Sequence, residues 1–312
     1  MDLSQNWLLM AVLTPILWAI ACLLDSCLIG NRIYRSALDG TVFTCLFSVL
    51  PVIWILGQGI GEPIAGTHDY DALSAGVIAG LCFVVHLVFY FRTLHRINDV
   101  SGAETFVTLS VLIVPLFAWM ILGENLPPRY YFAILLAGVG VLLYCLPLLK
   151  QLGTGVLADM CICLLTISLA MVLQARTLDQ IGFASATLIF NLTCLIAALI
   201  LLIVLRPLRI RVFSIARRVP LILVVGECLG LLALVCSHRA TQVGPSVSLV
   251  ALIECLLPLI IILISALTIA AHRLVPILSS ANYRMLVQQI TSLPSKILAL
   301  TLLLASVSSL SL

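Results

Sequence analysis

Ten apolar segments divide this chain, and each is close to the length of about 20 residues that an α-helix needs to cross a membrane. They lie at 7–30, 40–58, 72–93, 102–122, 129–149, 154–175, 183–205, 220–238, 245–271 and 291–312. Only 9% of the 312 residues are charged, whereas soluble proteins carry about 25% charged residues. The sequence therefore predicts an all-α integral membrane protein, and it excludes a soluble domain, a disordered chain and a nucleic-acid-binding protein.

Neither a disulfide framework nor a cleaved signal is predicted. The 11 cysteines all lie in apolar runs, and an odd number without loop spacing argues against paired cysteines. We expect them to pack as small apolar residues. The residues before Trp7 include no Lys or Arg, so they lack the basic region of a signal peptide. Segment 7–30 is therefore predicted to be a retained first membrane helix.

Lys and Arg are distributed unequally between the two sets of loops. Loops that follow odd-numbered predicted helices carry 12 of them, and the even-numbered loops and termini carry 4. The positive-inside rule then predicts that both termini lie outside a cell membrane, inner or plasma. Five of the twelve lie at 206–218. We interpret this cluster as a topology anchor, with contact to anionic lipid as the alternative.

An internal repeat relates residues 89–124 to the region 143 positions later. His95-Arg96 aligns with His238-Arg239, and Pro115-Leu116 aligns with Pro258-Leu259, without a gap. The chain is therefore divided into two halves, 1–150 and 151–312. Because each half holds five predicted helices, an odd number, the second half must enter the membrane in the opposite sense. Inverted repeats of this kind are typical of secondary transporters, whose binding site lies near the membrane midplane between the repeats.

The repeated stretch also resembles a known family. The matching segments are Phe89-Tyr-Phe-Arg-Thr-Leu-His95, Val100-Ser-Gly-Ala103, Leu109-Ser-Val-Leu-Ile-Val-Pro115, Leu122-Gly-Glu-Asn125 and Ala137-Gly-Val-Gly-Val-Leu-Leu143. They resemble the EamA domain of the drug/metabolite transporter superfamily. The resemblance implies a carrier of ten helices in two EamA-like repeats that moves small organic solutes. It also implies termini in the cytoplasm, the reverse of the charge count. The second repeat is divergent, because Leu267 stands where the first has Glu124.

Ionisable residues inside the predicted helices are the candidates for binding, since an Asp, Lys or Arg at mid-helix costs about 2.5–3.5 kcal/mol to insert. His86 lies in the third segment and Glu227 in the eighth, two positions apart in the repeat alignment. We predict that they face each other across the repeat axis and bind a proton or orient a charged substrate. The alternative is a structural hydrogen bond that holds two helices together.

Three further residues complete the predicted site for substrate or proton binding. Glu254 lies four residues before Pro258. A helical proline lacks the N–H that would bond to the carbonyl four residues earlier, which here is the carbonyl of Glu254. As an alternative, Glu254 is a protonated acid whose carboxyl group donates a hydrogen bond to a nearby carbonyl. Tyr90 lies near the end of the third helix and Asp25 late in the first, where Asp25 is also interpretable as an interfacial charge. Glu104 is interpreted first as an acid in the opening turn of helix four and second as a cavity residue.

Other charged residues near helix ends are interpreted structurally. Arg92 and Arg96 are expected to be anchors on the cytoplasmic face, and Asp159 an interfacial charge. His238 and Arg239 are expected to anchor the opposite face. A further structural feature is the spacing of glycines at 76 and 80, which predicts close packing of the third helix against a neighbour.

Motifs of membrane or nucleotide-dependent enzymes are missing from the sequence. It contains no G-x-x-x-x-G-K-[ST], no H-E-x-x-H and no G-x-S-x-G. We therefore expect no enzyme, no cofactor and no bound metal, but a gradient-driven secondary transporter for a small organic metabolite. Membrane lipids are the other expected partner, and a homodimer is left open. The alternatives are a flippase for a lipid-linked intermediate, and a non-transporting membrane assembly or regulatory subunit.

Overall fold

A computed structural model describes residues 6–57, 70–97, 99–149 and 152–274, together with 282–283, 286–287, 301–302 and 304–306. This part of the chain is helical and contains no β-strand. The helices are α1 Trp7–Gly30, α2 Ala37–Phe47, α3 Val49–Gly57, α4 Tyr70–Ile97, α5 Val100–Val107, α6 Ser110–Leu122, α7 Pro128–Leu149, α8 Thr154–Val204, α9 Arg206–Arg218, α10 Pro220–Val243, α11 Val247–Glu254 and α12 Leu257–Leu274.

Eight segments among the described residues are long and apolar enough to cross a membrane. The prediction of an all-α membrane protein is therefore confirmed at this level. Three of the eight consist of two consecutive helices, namely α2 with α3, α5 with α6, and α11 with α12. The predicted tenth segment, 291–312, lies largely outside the described residues.

The longest segment, α8, combines the predicted sixth and seventh helices. A helix of 51 residues would be about 76 Å long, more than twice the thickness of the hydrocarbon core. Gly182 interrupts it with φ 76° and ψ 172°, a conformation that is essentially restricted to glycine. The chain therefore turns at Gly182, and α8 has a first arm before it and a second arm after it.

Contacts with α4 show that the two arms of α8 run in opposite directions. Thr177 and Ile189, one from each arm, both lie beside Gly76. Further along α4, the first arm reaches His86 through Cys163, whose carbonyl oxygen is 3.1 Å from Nδ1. The second arm instead runs in the same direction as α4. Ile189 lies beside Gly76, and four residues later a β-carbon on Gly80 would lie 2.8 Å from Cβ of Thr193. The prediction of close packing at the two glycines of α4 is thus confirmed.

A second antiparallel pair is formed by α1 and α10. Gly244 lies against Trp7, Gly230 against Ala21 and Gly226 against Leu24. Thr14, which is buried in the middle of α1, donates from Oγ1 to the carbonyl oxygen of Met10 at 3.0 Å and lies 3.5 Å from that of Ala233. The small residues of α10 therefore let the two backbones approach closely.

The region 206–219, predicted as a connection, is mostly the helix α9. Leu208, Val212 and Ile215 form its buried face, and the fully buried carboxylate of Asp39 accepts from Arg211 Nε at 3.0 Å. This contact holds α9 against the start of α2. We call this end of the bundle the α9 end and the opposite end the Gly182 end.

We expect Gly182→Ala to destabilise the fold. A β-carbon there meets no atom within 4 Å, so the cost is backbone strain of about 1–3 kcal/mol, measured as a lower thermal unfolding temperature in detergent. Gly30→Ala is the matched control, because it also meets no atom within 4 Å but lies in the last turn of α1. Equal unfolding temperatures for the two variants would contradict the turn at Gly182.

Candidate functional site

Every residue that the sequence predicted for binding lines one internal cavity. Its volume is about 130 Å³, close to the roughly 150 Å³ of a protein cavity that holds benzene. Its walls come from α1, α2, α4, α5, α6, α8, α10, α11 and α12. The predicted residues that line it are Asp25, His86, Tyr90, Glu227 and Glu254.

Glu227 and His86 both line this cavity but have different hydrogen-bond partners. The Glu227 carboxylate accepts from the Thr44 hydroxyl at 3.3 Å and from the Tyr34 hydroxyl at 3.5 Å. The His86 Nδ1 instead lies 3.1 Å from the carbonyl oxygen of Cys163 and 3.1 Å from its Sγ. The predicted direct pair is therefore not formed in this conformation, because α2 and α8 supply nearer partners.

Glu104 is a cavity residue, which was the second of its two predicted roles. The N-cap of α5 is Asp99, which accepts from the Gly102 backbone N–H at 3.1 Å. Glu104 is only 5% exposed and faces the cavity, where its Oε1 accepts from the Cys22 thiol at 3.1 Å. Its interpretation as a first-turn acid is wrong because the helix is capped one turn earlier and Glu104 points inward.

Asp25 connects two of the buried carboxyl groups. It lies within electrostatic range of Glu104 and of Glu227, and it lines the same cavity. Asp25 is half-buried and belongs to the cavity wall, which argues against a purely interfacial position. The three carboxyl groups form a cluster, which we call the acidic triad.

Glu254 lies at a break between two helices. The helix α11 ends at Glu254, Cys255 and Leu256 form a turn, and α12 begins at Leu257. The Ser237 hydroxyl donates to Oε1 of Glu254 at 2.6 Å. The expected disturbance before Pro258 is therefore present as a break between α11 and α12, and Cys255 of the turn lines the cavity.

Aromatic rings cover one face of α4 along the cavity. The His86 ring stacks with Phe83 at a centroid distance of 5.9 Å and with Tyr90 at 5.8 Å. The Tyr90 hydroxyl has no hydrogen-bond partner among the described residues, although Cys22 and Glu104 are nearby. The Tyr90 side chain therefore lines the cavity beside the acidic triad.

A smaller pocket of about 30 Å³ adjoins the cavity and shares the walls Trp18 and Phe83 with it. Gln174 and His238 line this pocket, and both are buried. Both polar atoms of the Gln174 amide and Nδ1 of His238 lack hydrogen-bond partners in the described structure. The expectation that His238 anchors the membrane surface is wrong, since its ring packs edge-on against Phe190 inside the bundle, with 5.0 Å between centroids.

Ion pairs close the α9 end of the bundle. Asp159 accepts from Arg96 Nη1 at 2.6 Å and from Arg92 Nε at 3.1 Å. The Asp159 side chain is 6% exposed, whereas those of Arg92 and Arg96 are 47% and 37% exposed. Asp159 is thus buried beneath the two arginines that were predicted as anchors.

A polar pocket of about 410 Å³ opens at the Gly182 end. Its walls include Glu124, Asp179 and Ser246, and the Ser246 hydroxyl donates to Oε1 of Glu124 at 2.7 Å. Glu124 follows Gly123, which ends α6 with φ 67°, so the Leu-Gly-Glu segment forms the end of this helix. Arg176 pairs with Asp71 at the same end.

The described residues include no group of three or more His, Cys, Asp or Glu side chains arranged to hold a metal ion. The cavity can instead bind a solute through carboxylates, hydroxyls and aromatic faces. No known family profile matches the chain, and no curated protein matches it. A solved structure, described as "Crystal structure of protein", is similar in fold, with a TM-score of 0.61 and 16% identity over 97% of this chain and 96% of the other.

We expect Asp159→Asn to destabilise the protein more than Arg96→Gln does. Loss of the buried anion leaves two arginines facing each other without a counter-charge, at a cost of about 1–3 kcal/mol. Loss of the partly exposed Arg96 leaves Arg92 paired and costs less than about 1 kcal/mol. Thermal unfolding in detergent measures both, and a larger loss for Arg96→Gln would contradict the geometry.

Proposed function

We propose that this protein is a gradient-driven secondary transporter that moves a small organic metabolite by alternating access. The observation that carries the proposal is the internal cavity, in which ionisable groups from distant parts of the sequence meet between antiparallel helices. Ionisable groups inside a membrane are costly, and they mark substrate and ion pathways. The proposal includes membership of the EamA-like carriers, a location in the cell membrane, and no enzymatic activity.

Two matched helix breaks support an inverted repeat of five helices in each half. Both α5 and α11 have 8 residues, and each is capped by the side chain of the preceding residue, Asp99 or Ser246. A two-residue turn follows each of them, and both turns contribute to the cavity. Discontinuous helices that meet at a central site are a recurring feature of secondary transporters.

The helix starts refine the repeat offset. Val247 begins α11 147 positions after Val100 begins α5, and the same separation relates the starts of α12 and α6. This is four residues, about one helical turn, more than the ungapped offset of 143. The pairing of α1 with α10 is then equivalent to the pairing of the first α8 arm with α4. The proposal takes the segment 291–312, predicted from the sequence, as the tenth helix that completes the second half.

The ion pairs at the α9 end form a gate in this mechanism. Asp159 with its two arginines, and Asp39 with Arg211, hold the ends of α4, α8, α2 and α9 together. Opening toward this end requires these pairs to separate, while the Gly182 end already has a polar pocket. The arginine count favours an α9 end in the cytoplasm and both termini outside, the orientation that this proposal adopts.

A lipid-linked substrate is the second candidate, and the surface of α9 favours it. Arg206, Arg209 and Arg217 are exposed, and Ile210 and Phe213 are each 61% exposed beside them. Such a surface binds anionic headgroups while its apolar side chains enter the membrane. In that case the protein is a flippase, and the arginines hold the phosphate of the lipid.

The test is untargeted mass spectrometry of medium and cell extract from cells that express the wild type, Glu227→Gln or an empty vector. We expect a soluble organic compound to change its distribution with the wild type and not with Glu227→Gln, because the substitution removes a charge from the cavity. Asp179→Asn is the matched control, since Asp179 is an exposed acid at the Gly182 end.

The other outcomes separate the alternatives. If the distribution of a soluble compound also changes with Glu227→Gln, the transport function stands and Glu227 is rejected as a substrate contact. A shift in the lipid extract alone, lost when Arg206, Arg209 and Arg217 are changed to Gln, would favour the flippase. No shift in either extract, with wild-type protein present in the membrane, would contradict transport.

A further inference from the structure

We propose that the internal cavity selects organic cations, in particular small amines or quaternary ammonium compounds that also carry a hydrogen-bonding group. The inference rests on the proposed function in one respect, namely that the cavity is the substrate site. It adds the charge and chemical class of the substrate, which neither the fold nor the function assigns.

Carboxyl side chains give the cavity wall its acidic character. Asp25, Glu104, Glu227 and Glu254 line one cavity, and among the described residues no Lys or Arg lines it. Isolated carboxylates in an apolar site are strongly disfavoured without a counter-charge. Since Asp25 is in electrostatic range of both Glu104 and Glu227, the acidic triad needs a cation when it is ionised. An organic anion would meet the same charges and be repelled.

Unsatisfied polar groups provide an independent indication of a ligand. The Tyr90 hydroxyl is in a side chain that is 5% exposed, it has no hydrogen-bond partner in the described structure, and it faces the cavity. The Gln174 amide and the His238 ring have free polar atoms in the adjoining pocket. Buried polar groups are normally paired, so a ligand with a donor and an acceptor completes them.

The aromatic lining distinguishes an organic cation from a proton alone. Trp18, Phe83, Tyr90 and Phe91 contribute to the cavity wall. Aromatic faces attract ammonium groups and are the usual means by which proteins recognise quaternary ammonium ligands. A proton would neutralise a carboxylate but would leave the aromatic walls and the volume of about 130 Å³ without a function. The site therefore suits a compact cation of about the size of benzene.

The test compares two molecules of the same shape that differ in charge. Choline is the cationic probe, and 3,3-dimethylbutan-1-ol is its neutral isostere, in which carbon replaces the ammonium nitrogen. Binding to the purified full-length protein in nanodiscs is measured by calorimetry and by the shift in unfolding temperature. We expect choline to bind at least about tenfold more tightly than the isostere, because only choline compensates the carboxylates.

Two variants separate charge recognition from loss of structure. Glu227→Gln is expected to weaken choline binding by about tenfold and to leave binding of the isostere unchanged. Asp179→Asn, outside the cavity, is expected to bind both as the wild type does. Equal affinity for the two probes, preference for the isostere, or absence of choline binding to folded protein overturns the inference.

The two proposals fail separately. If the cellular experiment identifies a transported anion or neutral solute while choline does not bind, cation selectivity is wrong and the transporter stands. If choline binds in a Glu227-dependent way while no compound shifts in cells, the cavity selects cations but transport is wrong.

Discussion

Carboxyl groups that face an apolar interior are the constraint on which this structure depends. Glu104, Glu227 and Glu254 are each less than 10% exposed, and the bundle gives each a donor: the Cys22 thiol, the hydroxyls of α2 and its preceding loop, or the Ser237 hydroxyl. These donors are neutral. They satisfy part of the hydrogen-bonding capacity of the carboxylates but none of their charge, which is why the cavity between α1, α4 and α10 has the chemistry of a cation site.

The helix packing brings these groups together from distant parts of the chain. Small residues allow α1 to lie against α10 and α4 to lie against both arms of α8. Gly182 interrupts the helix between those arms, so the chain can reverse direction there. The breaks after Val107 and Glu254 then place non-helical backbone at the cavity rather than in lipid, as unsatisfied backbone in a membrane requires. In the proposed inverted repeat, these antiparallel pairs are the equivalent elements of the two halves.

Long apolar runs made the membrane helices predictable. The cost of buried charge directed attention to Asp25, His86 and Glu227, which line one cavity in the structure. The hydrogen-bond partners of these residues were not predictable in this way. His86 contacts Cys163 and Glu227 contacts Thr44, because the register of α8 and α2 is set by packing that no local pattern records. Glu104 resembled a first-turn acid because the predicted helix began at residue 102, whereas α5 begins at Val100 after its cap Asp99. In the proposed repeat, equivalent helices start 147 positions apart rather than 143, a difference of about one helical turn that an ungapped alignment does not show.

Accessibility of the cavity from both faces of the membrane tests the account most directly. In a variant that retains Cys22 as its only cysteine, a cationic, membrane-impermeant methanethiosulfonate is applied to right-side-out cells and to inside-out vesicles. Cys22 lines the cavity beside Glu104, so alternating access predicts labelling from both sides, slowed when the solute is present. Labelling from one side only, in protein that unfolds at the wild-type temperature, would contradict a carrier.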